Sequence, residues 1–182
     1  MEAAILKQWS DGQHEEAVQA LVDYLKKTPA DIEAYVTLAT FLTTLQDFEQ
    51  AEVLLQKALT KFPDQPALSY ALGTLYYQAE SYQQAEAIFM ELVKNSQSVD
   101  AQYMLAQTYH QMEQNPRALV FALTAQEQQP QELDTNILVG NILISLSDFD
   151  QAQSYLKKAL KINAQNGEAL FKYGLTQLVL DQ

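Results

Sequence analysis

Two series of small residues recur along the chain with a period of about 34 residues. The first series has the spacings 34, 34, 33 and 34 and consists of Ala17, Ala51, Ala85, Ala118 and Ala152. The second has the spacings 34, 33, 34 and 34 and consists of Ala39, Gly73, Ala106, Gly140 and Gly174. Both series share one period and the same single-residue contraction, so the chain is an array of repeats. In such an array each repeat buries its apolar face against its neighbours.

Each repeat has the apolar pattern of two helices in succession. In the second repeat, Tyr35, Leu38 and Leu42 have helical spacing, and Ala51 and Leu55 continue that spacing in the following segment. Residues three and four apart lie on one face of a helix, so both segments are amphipathic. Only a few residues separate the two segments, which predicts an antiparallel helical hairpin.

The breaks between the predicted helices carry residues that stop or start a helix. Asp47, Ser81 and Asp148 stand before second helices, where a side-chain oxygen can accept a hydrogen bond from a free backbone N–H group. In the fourth repeat, Asn115 followed by Pro116 is expected to do the same. The breaks between hairpins carry prolines at Pro29, Pro63 and Pro130, which cannot continue a helix.

One pair of motifs resembles a known repeat family. Leu72-Gly73-x2-Tyr76 followed by Ala85-x3-Phe89 is similar to the tetratricopeptide repeat, whose 34-residue pattern also has a bulky first position and a closing proline. The resemblance implies an all-α, right-handed superhelical solenoid of antiparallel helix hairpins. We predict one solenoid domain over residues 1–182, with repeats at 1–31, 32–65, 66–98, 99–132 and 133–166, and the first helix of a sixth repeat from 167.

Charge and composition exclude several classes of function. The formal net charge is −12, from 23 acidic and 11 basic residues, so phosphate backbones and anionic lipid surfaces are repelled. The chain has no cysteine, which excludes disulfides and cysteine-ligated zinc. No apolar run reaches the length of about 18 residues that a membrane-spanning helix needs. We therefore expect a cytoplasmic protein that binds neither nucleic acid nor membrane.

The first helix of each hairpin is expected to line a concave groove, which is the default binding surface of a solenoid. A stripe with the spacing i, i+3 and i+7 runs beside the core positions on these helices and predicts the groove-facing residues. The candidate partner-binding residues are Glu33, Val36, Thr40, Tyr70, Thr74, Tyr77, Asp100, Tyr103, Gln107, His110, Asp134, Ile137, Asn141 and Ile144.

The candidate groove has a distinctive chemistry. Neither Lys nor Arg occurs in residues 32–45, 66–79, 99–112 or 133–146. Tyr70, Tyr77 and Tyr103 have the composition of interface hot spots, although packing between neighbouring repeats would also account for them. Acidic residues stand near the start of the segments that begin at 32, 99 and 133, at Glu33, Asp100 and Asp134. The partner predicted from this surface is a protein or peptide with apolar anchors and basic residues.

The resemblance bears on acidic partners as well. Some tetratricopeptide domains bind acidic C-terminal tails through basic groove residues. Here those positions are not basic, so that activity is not expected.

Motifs for catalysis or metal binding are absent from the sequence. The histidines are His14 and His110, which are far apart in the array, and no nucleophile elbow, phosphate loop or calcium loop occurs. Asp148 begins a short acidic segment that lacks the glycine of a calcium loop, so we interpret it as a helix cap. We predict a non-catalytic protein without metal or cofactor.

These observations favour a protein-interaction scaffold that binds a peptide or partner helix in its groove. Two alternatives remain open. The chain could be a chaperone for secreted or membrane-inserting client proteins, or the docking or regulatory part of a larger enzyme or sensor. Capture of an otherwise insoluble client would favour the first alternative, and a longer natural reading frame the second.

The two ends of the sequence are irregular. Trp9 lies on a first helix that matches the repeat poorly, and we expect it to pack as an N-terminal cap rather than to stack on a ligand. The last helix is apolar on more than one side, for example at Phe171 and Leu178. Either the natural chain continues, or this helix packs on another protein or on another copy, which would be self-association through the C-terminal helix.

Overall fold

The structure is a computed structural model that describes residues 2–96 and 98–181, and every regular element in those ranges is helical. Eleven helices occur there: α1 Glu2–Ser10, α2 His14–Lys27, α3 Ile32–Thr44, α4 Phe48–Lys61, α5 Pro66–Gln78, α6 Tyr82–Ser96, α7 Val99–Gln111, α8 Asn115–Gln128, α9 Leu133–Ser145, α10 Phe149–Ile162 and α11 Gly167–Leu180. The all-α fold predicted from the sequence is confirmed.

The chain divides into two compact units, unit 1 from Met1 to Ile88 and unit 2 from Phe89 to Gln182. In unit 1, α1 packs on α2 and α3 on α4, and α3 also packs on α5. In unit 2, α7 packs on α8 and α9 on α10, while α9 also contacts α7 and α11. Each unit is therefore built from antiparallel hairpins whose first helices pack side by side. That the whole chain forms a single solenoid domain stays a prediction.

One turn geometry recurs at the end of α1, α3, α5, α7 and α9. After α3, the N–H group of Asp47 donates to the carbonyl of Leu42 at 2.9 Å, and that of Gln46 donates to Thr43 at 3.0 Å. Gln46 has a φ of 61°, so this is a Schellman cap with a left-handed residue after the helix. The side chain of Asp47 then accepts from the N–H group of Gln50 at 3.3 Å, so the same residue starts α4. The same side-chain cap is confirmed at Asp148.

The predicted cap at Asn115 is wrong by one residue. Helix α8 begins at Asn115, and its N-cap is Gln114, whose side chain makes no cap bond. The Schellman turn explains the shift, because the residue after the left-handed Glu113 is Gln114, and in every such turn this residue precedes the next helix. The side chain of Asn115 is free to make a different contact, described below.

Unit 1 is held by an apolar core. Ala17, Ala51 and Leu55 are fully buried, and the packed leucines of α2, α3, α4 and α5 complete one continuous cluster. Trp9 of α1 stacks on Phe41 of α3, with ring centroids 3.8 Å apart and planes 9° apart. The packing role expected for Trp9 is confirmed.

Unit 2 buries polar side chains as well as apolar ones. Asn136 is fully buried, and its amide group donates to the carbonyls of Pro130 at 3.0 Å and Glu132 at 2.7 Å. Gln126 is also buried and donates to the side-chain oxygen of Asn136 at 3.4 Å. These bonds satisfy most of the amide's capacity, which is the condition for burying it at low cost.

Candidate functional site

A pocket of about 150 Å³ lies between α3 and α5 in unit 1. It contains four of the candidate residues selected from the sequence, Val36, Thr40, Tyr70 and Thr74, and its lining is completed by Ala39, Thr43, Thr44, Ala71, Leu75 and Gln78. These two helices are first helices of successive hairpins, and they pack side by side at their small residues. The pocket therefore lies where the sequence predicted a binding surface.

Threonine hydroxyls give this pocket a definite hydrogen-bonding character. The hydroxyl groups of Thr40, Thr43, Thr44 and Thr74 each donate to the backbone carbonyl four residues earlier, over 2.7 to 2.9 Å. A hydroxyl has a single proton but two lone pairs, so each of these oxygens retains only acceptor capacity. The pocket wall thus combines methyl groups with hydrogen-bond acceptors.

The second candidate tyrosine of unit 1, Tyr77, packs against another aromatic ring. Tyr77 contacts Tyr82 of α6 edge-on, with ring centroids 5.7 Å apart, and both rings are half-buried. Tyr70 is half-buried as well, and it lines the pocket. Tyr77 therefore packs within its own hairpin, and its part in partner binding stays a prediction.

In unit 2, the candidate side chains are bonded to one another or to a neighbouring helix. The amide of Gln107 donates to the hydroxyl oxygen of Tyr103 at 3.0 Å, one turn away on α7. The Nδ1 atom of His110 lies 2.6 Å from Oδ1 of Asn115, at the start of α8. His110 is therefore a hydrogen-bonding residue that ties the end of α7 to α8.

Asn141 on α9 makes a contact with α11. Its amide nitrogen donates to Oε1 of Glu168 at 2.8 Å. Its side-chain oxygen is buried, and within the described ranges no donor reaches it. An acceptor in that state lacks the N–H or O–H group that would satisfy it.

One candidate residue is corrected by the structure. Ile137 is only 5% exposed and belongs to an apolar cluster with Ala159 of α10 and Ala169 of α11. Since α9 is covered on that side by both neighbouring helices, Ile137 is a core residue rather than a surface contact. Ile144, two helical turns after Ile137 on the same face of α9, is half-buried. The acidic candidates Glu33, Asp100 and Asp134 are exposed.

The sequence stripe missed part of the pocket. Thr44 and Gln78 are 34 residues apart and follow Thr40 and Thr74 by one helical turn, so the same periodicity could have selected them. Tyr76, also on α5, faces the other way and donates to Oε1 of Glu52 at 2.7 Å. Burial, and then this hydrogen bond to a carboxylate, raise the pKa of the Tyr76 hydroxyl.

Helix α11 has an exposed apolar face. Phe171 is 68% exposed and Leu178 is 62% exposed, and the face also includes Leu170, Leu175, Val179 and Leu180. The equivalent helix α9 is covered by both α10 and α11, whereas α11 packs on α10 and α9 alone among the described residues. The apolar side chains predicted for this helix are therefore exposed on its surface.

Sequence comparison with protein families matches residues 8–57, 42–99 and 133–166 to the tetratricopeptide repeat. The first two ranges together span 92 of the 182 residues, because they overlap and run from 8 to 99. This chain belongs to the tetratricopeptide repeat family. A comparison with curated proteins gave no match.

Solved structures show the same fold. MamA from Desulfovibrio magneticus RS-1 (residues 41 to the end) has a TM-score of 0.75 at 20% identity, with 91% of this chain and 94% of that one covered. YrrB, described as a tetratricopeptide protein with an unusual peptide-binding site, has a TM-score of 0.70 at 21% identity, with 90% and 85% covered. TTC0263, a tetratricopeptide protein from Thermus thermophilus, has a TM-score of 0.78 at 15% identity, with 97% and 96% covered.

Tetratricopeptide repeats are typically non-catalytic interaction scaffolds, and the family assignment supports a protein-interaction role. In the described parts of the chain, no cluster of three His, Asp or Glu side chains is placed to hold a metal ion. None of the helices described has both the length and the apolar character that crossing a bilayer demands.

Proposed function

We propose that this protein is a non-catalytic scaffold that binds a peptide or partner helix on the faces of its first helices. The observation that carries the proposal is the pocket between α3 and α5, which combines Tyr70 with the small and hydroxyl-bearing side chains of both helices. A side chain from a partner can enter a pocket of this kind, and a tyrosine at its edge supplies a large contact area with little loss of rotamer freedom.

The chemistry of the surface supports a partner with apolar and basic side chains. No basic residue occurs on α3 or α5, and Glu33 is exposed at the start of α3. Glu33 also lies in the first turn of its helix, where a negative charge is favoured by the helix dipole, so its position alone does not require a ligand. The absence of any cation on these two helices is what leaves its charge available to a partner.

The proposal is tested by selecting binding peptides from a random display library against the whole protein and measuring their affinity for variants. Tyr70→Ala is expected to weaken the selected peptides by at least tenfold, since truncating a hot-spot tyrosine at the centre of an interface costs about 2 kcal/mol or more. Tyr155→Ala on α10, a second helix of its hairpin, is the matched control and is expected to change the affinity less than twofold. Equal loss in both variants, or no enrichment of any peptide, would overturn the proposal.

Self-association through α11 is a separate part of the proposal. Its support is the exposed apolar face that includes Phe171 and Leu178. Large exposed apolar faces often mark sites of contact with another protein. Light scattering across a range of protein concentrations is expected to show a dimer that Phe171→Glu converts to monomer. A monomer at every concentration would rule out this part and leave the peptide-binding part untouched.

A further inference from the structure

We infer that the pocket between α3 and α5 selects a lysine side chain, which enters it with the stem along the apolar wall and the ammonium group toward the threonine hydroxyls. This inference rests on the proposed function, because it names the residue that a bound partner segment inserts. Three properties of the pocket lead to it: its hydrogen-bonding polarity, its size and its charge.

The hydrogen-bonding polarity of the threonines disfavours acidic side chains. The hydroxyl protons of Thr40, Thr43, Thr44 and Thr74 are all donated to backbone carbonyls of their own helices. Their oxygens can accept further hydrogen bonds, whereas a carboxylate has no proton to offer them. A group that only donates is the complement of these four oxygens, and the lysine ammonium has three donors and no acceptor. The amide of Gln78 and the hydroxyl of Tyr70, which also line the pocket, have acceptor oxygens as well as donors.

The size and lining of the pocket favour lysine over the other donor-only side chains. A cavity of about 150 Å³ holds one benzene molecule, and the pocket has that volume. The planar fork of arginine matches carboxylates and phosphates, and no carboxylate lines this pocket, whereas the compact ammonium of lysine can turn its three donors toward separate hydroxyl groups. The methyl and methylene groups of Val36, Ala71 and Leu75 offer the stem an apolar wall.

The charge distribution favours a cation over a neutral donor. The chain carries a net charge of −12, and neither α3 nor α5 contains Lys or Arg. No carboxylate lines the pocket itself, so an ammonium there would be held by hydroxyl acceptors and by the negative field of the chain. Glu33 stands one turn before Val36 on α3 and is exposed, within the same face.

Three small probes of similar length test the inference without any knowledge of the partner. Butylammonium is donor-only and cationic, 1-butanol is neutral, and butyrate is acceptor-only and anionic. We expect butylammonium to shift the NMR signals of the Val36 and Thr74 methyl groups in a saturable way, with millimolar affinity. Butanol is expected to bind at least fivefold more weakly, and butyrate not at all.

Variants then assign the selectivity to the hydroxyls. Thr40→Val with Thr74→Val keeps the shape of both side chains and removes two acceptors, so we expect butylammonium to lose about tenfold in affinity while butanol changes less than twofold. Thr60→Val is the control, because its hydroxyl makes the same bond to Gln56 outside the pocket. Circular dichroism and melting confirm that each variant folds.

The outcomes separate this inference from the proposed function. Binding of butyrate as strong as that of butylammonium, or an unchanged preference in the double valine variant, would overturn the lysine assignment even if selected peptides bind through Tyr70. Conversely, the probe selectivity can hold while no peptide is enriched from the library. In that case the pocket has the inferred chemistry, and the scaffold function fails on its own test.

Discussion

The two units use different side chains to make the same hydrogen bond, from the first position of a repeat to the carbonyl of the preceding proline. In unit 1, Tyr35 stands at the first position of its repeat, and its hydroxyl reaches the carbonyl of Pro29 over 3.4 Å. In unit 2, the equivalent residue is Asn136, whose amide reaches the carbonyl of Pro130 over 3.0 Å. A long aromatic side chain makes this contact from a half-buried position, while the short amide makes it from full burial. In these two repeats the position therefore carries a side-chain donor that reaches the carbonyl six residues earlier.

The difference extends to the surfaces of the first helices. In unit 1, the polar groups beside the pocket are threonines that bond within their own helix, which leaves the space between α3 and α5 open. In unit 2, Asn141 crosses from α9 to Glu168 at the start of α11. Hydroxyls that bond within their own helix keep a surface available, whereas the amide of Asn141 links two neighbouring helices.

The largest expected effect tests the buried amide. Asn136→Leu keeps the side chain close in size but leaves the carbonyl of Pro130 and the amide of Gln126 without this partner. Each buried polar group left unsatisfied costs about 1 to 3 kcal/mol, so we expect unit 2 to lose about 3 kcal/mol in free energy of unfolding. Hydrogen exchange read separately for α9 and α3 measures the loss in each unit.

The matched change in unit 1 is Tyr35→Phe, which removes a long and exposed hydrogen bond and is expected to cost less than about 0.5 kcal/mol. Equal losses for the two substitutions would show that the fully buried amide is no more important than the exposed hydroxyl. The comparison between the units would then fail at this position.

Much of the fold could be predicted from the sequence, because a 34-residue period fixes where helices begin and which residues share a face. The functional surface was harder to predict. Ile137 has the same register as Tyr70, and only the packing of α10 and α11 over it makes it a core residue. Asn136 stands where the family pattern has a bulky residue, and no sequence rule shows that a carbonyl lies within reach of its amide.

The second prediction concerns two equivalent glycines of unit 2. A Cβ atom on Gly140 would lie 2.7 Å from Cγ of the fully buried Leu156, whereas a Cβ on Gly174 meets nothing within 4 Å. We expect Gly140→Ala to destabilise the protein by about 2 kcal/mol through overpacking. Gly174→Ala is expected to stabilise it by about 1 kcal/mol, because alanine is the better helix former.

Thermal melting of both variants checks this pair of predictions. The comparison shows how the second helix of a hairpin restricts the space beside the first helix. Gly140 is in contact with α10, while Gly174 lies on the uncovered side of α11. A stabilising Gly140→Ala would mean that Leu156 moves aside at no cost. Measured at a protein concentration at which light scattering shows a monomer, a destabilising Gly174→Ala would show that this side of α11 is covered within the chain.

The smallest expected effect concerns the turns that both units share. Gln46 and Glu80 in unit 1, and Glu113 and Ser147 in unit 2, all have a positive φ of 57° to 61°, while the equivalent residue after α1 is Gly12. A non-glycine residue in this conformation costs about 1 to 2 kcal/mol, so the sequence places strain in four turns and avoids it in one. The absence of glycine is also why these caps could not be located from the sequence.

Glu80→Gly and Glu113→Gly are each expected to stabilise the protein by about 0.5 to 1 kcal/mol. The free energy gained by relieving the backbone strain is slightly larger than the entropic cost of the added glycine, which is more flexible in the unfolded chain. Gly12→Ala is the reverse control and is expected to destabilise by about 1 kcal/mol, with strain as its sole cause, since no atom lies within 4 Å of an added Cβ atom. Urea denaturation measures all three changes.

Similar gains at Glu80 and Glu113 would show that the turn acts independently of the side chains packed around it, because the two units differ in core chemistry but share this turn geometry. A gain in one unit alone would mean that the surrounding packing, and not the backbone conformation, sets the cost of the left-handed residue.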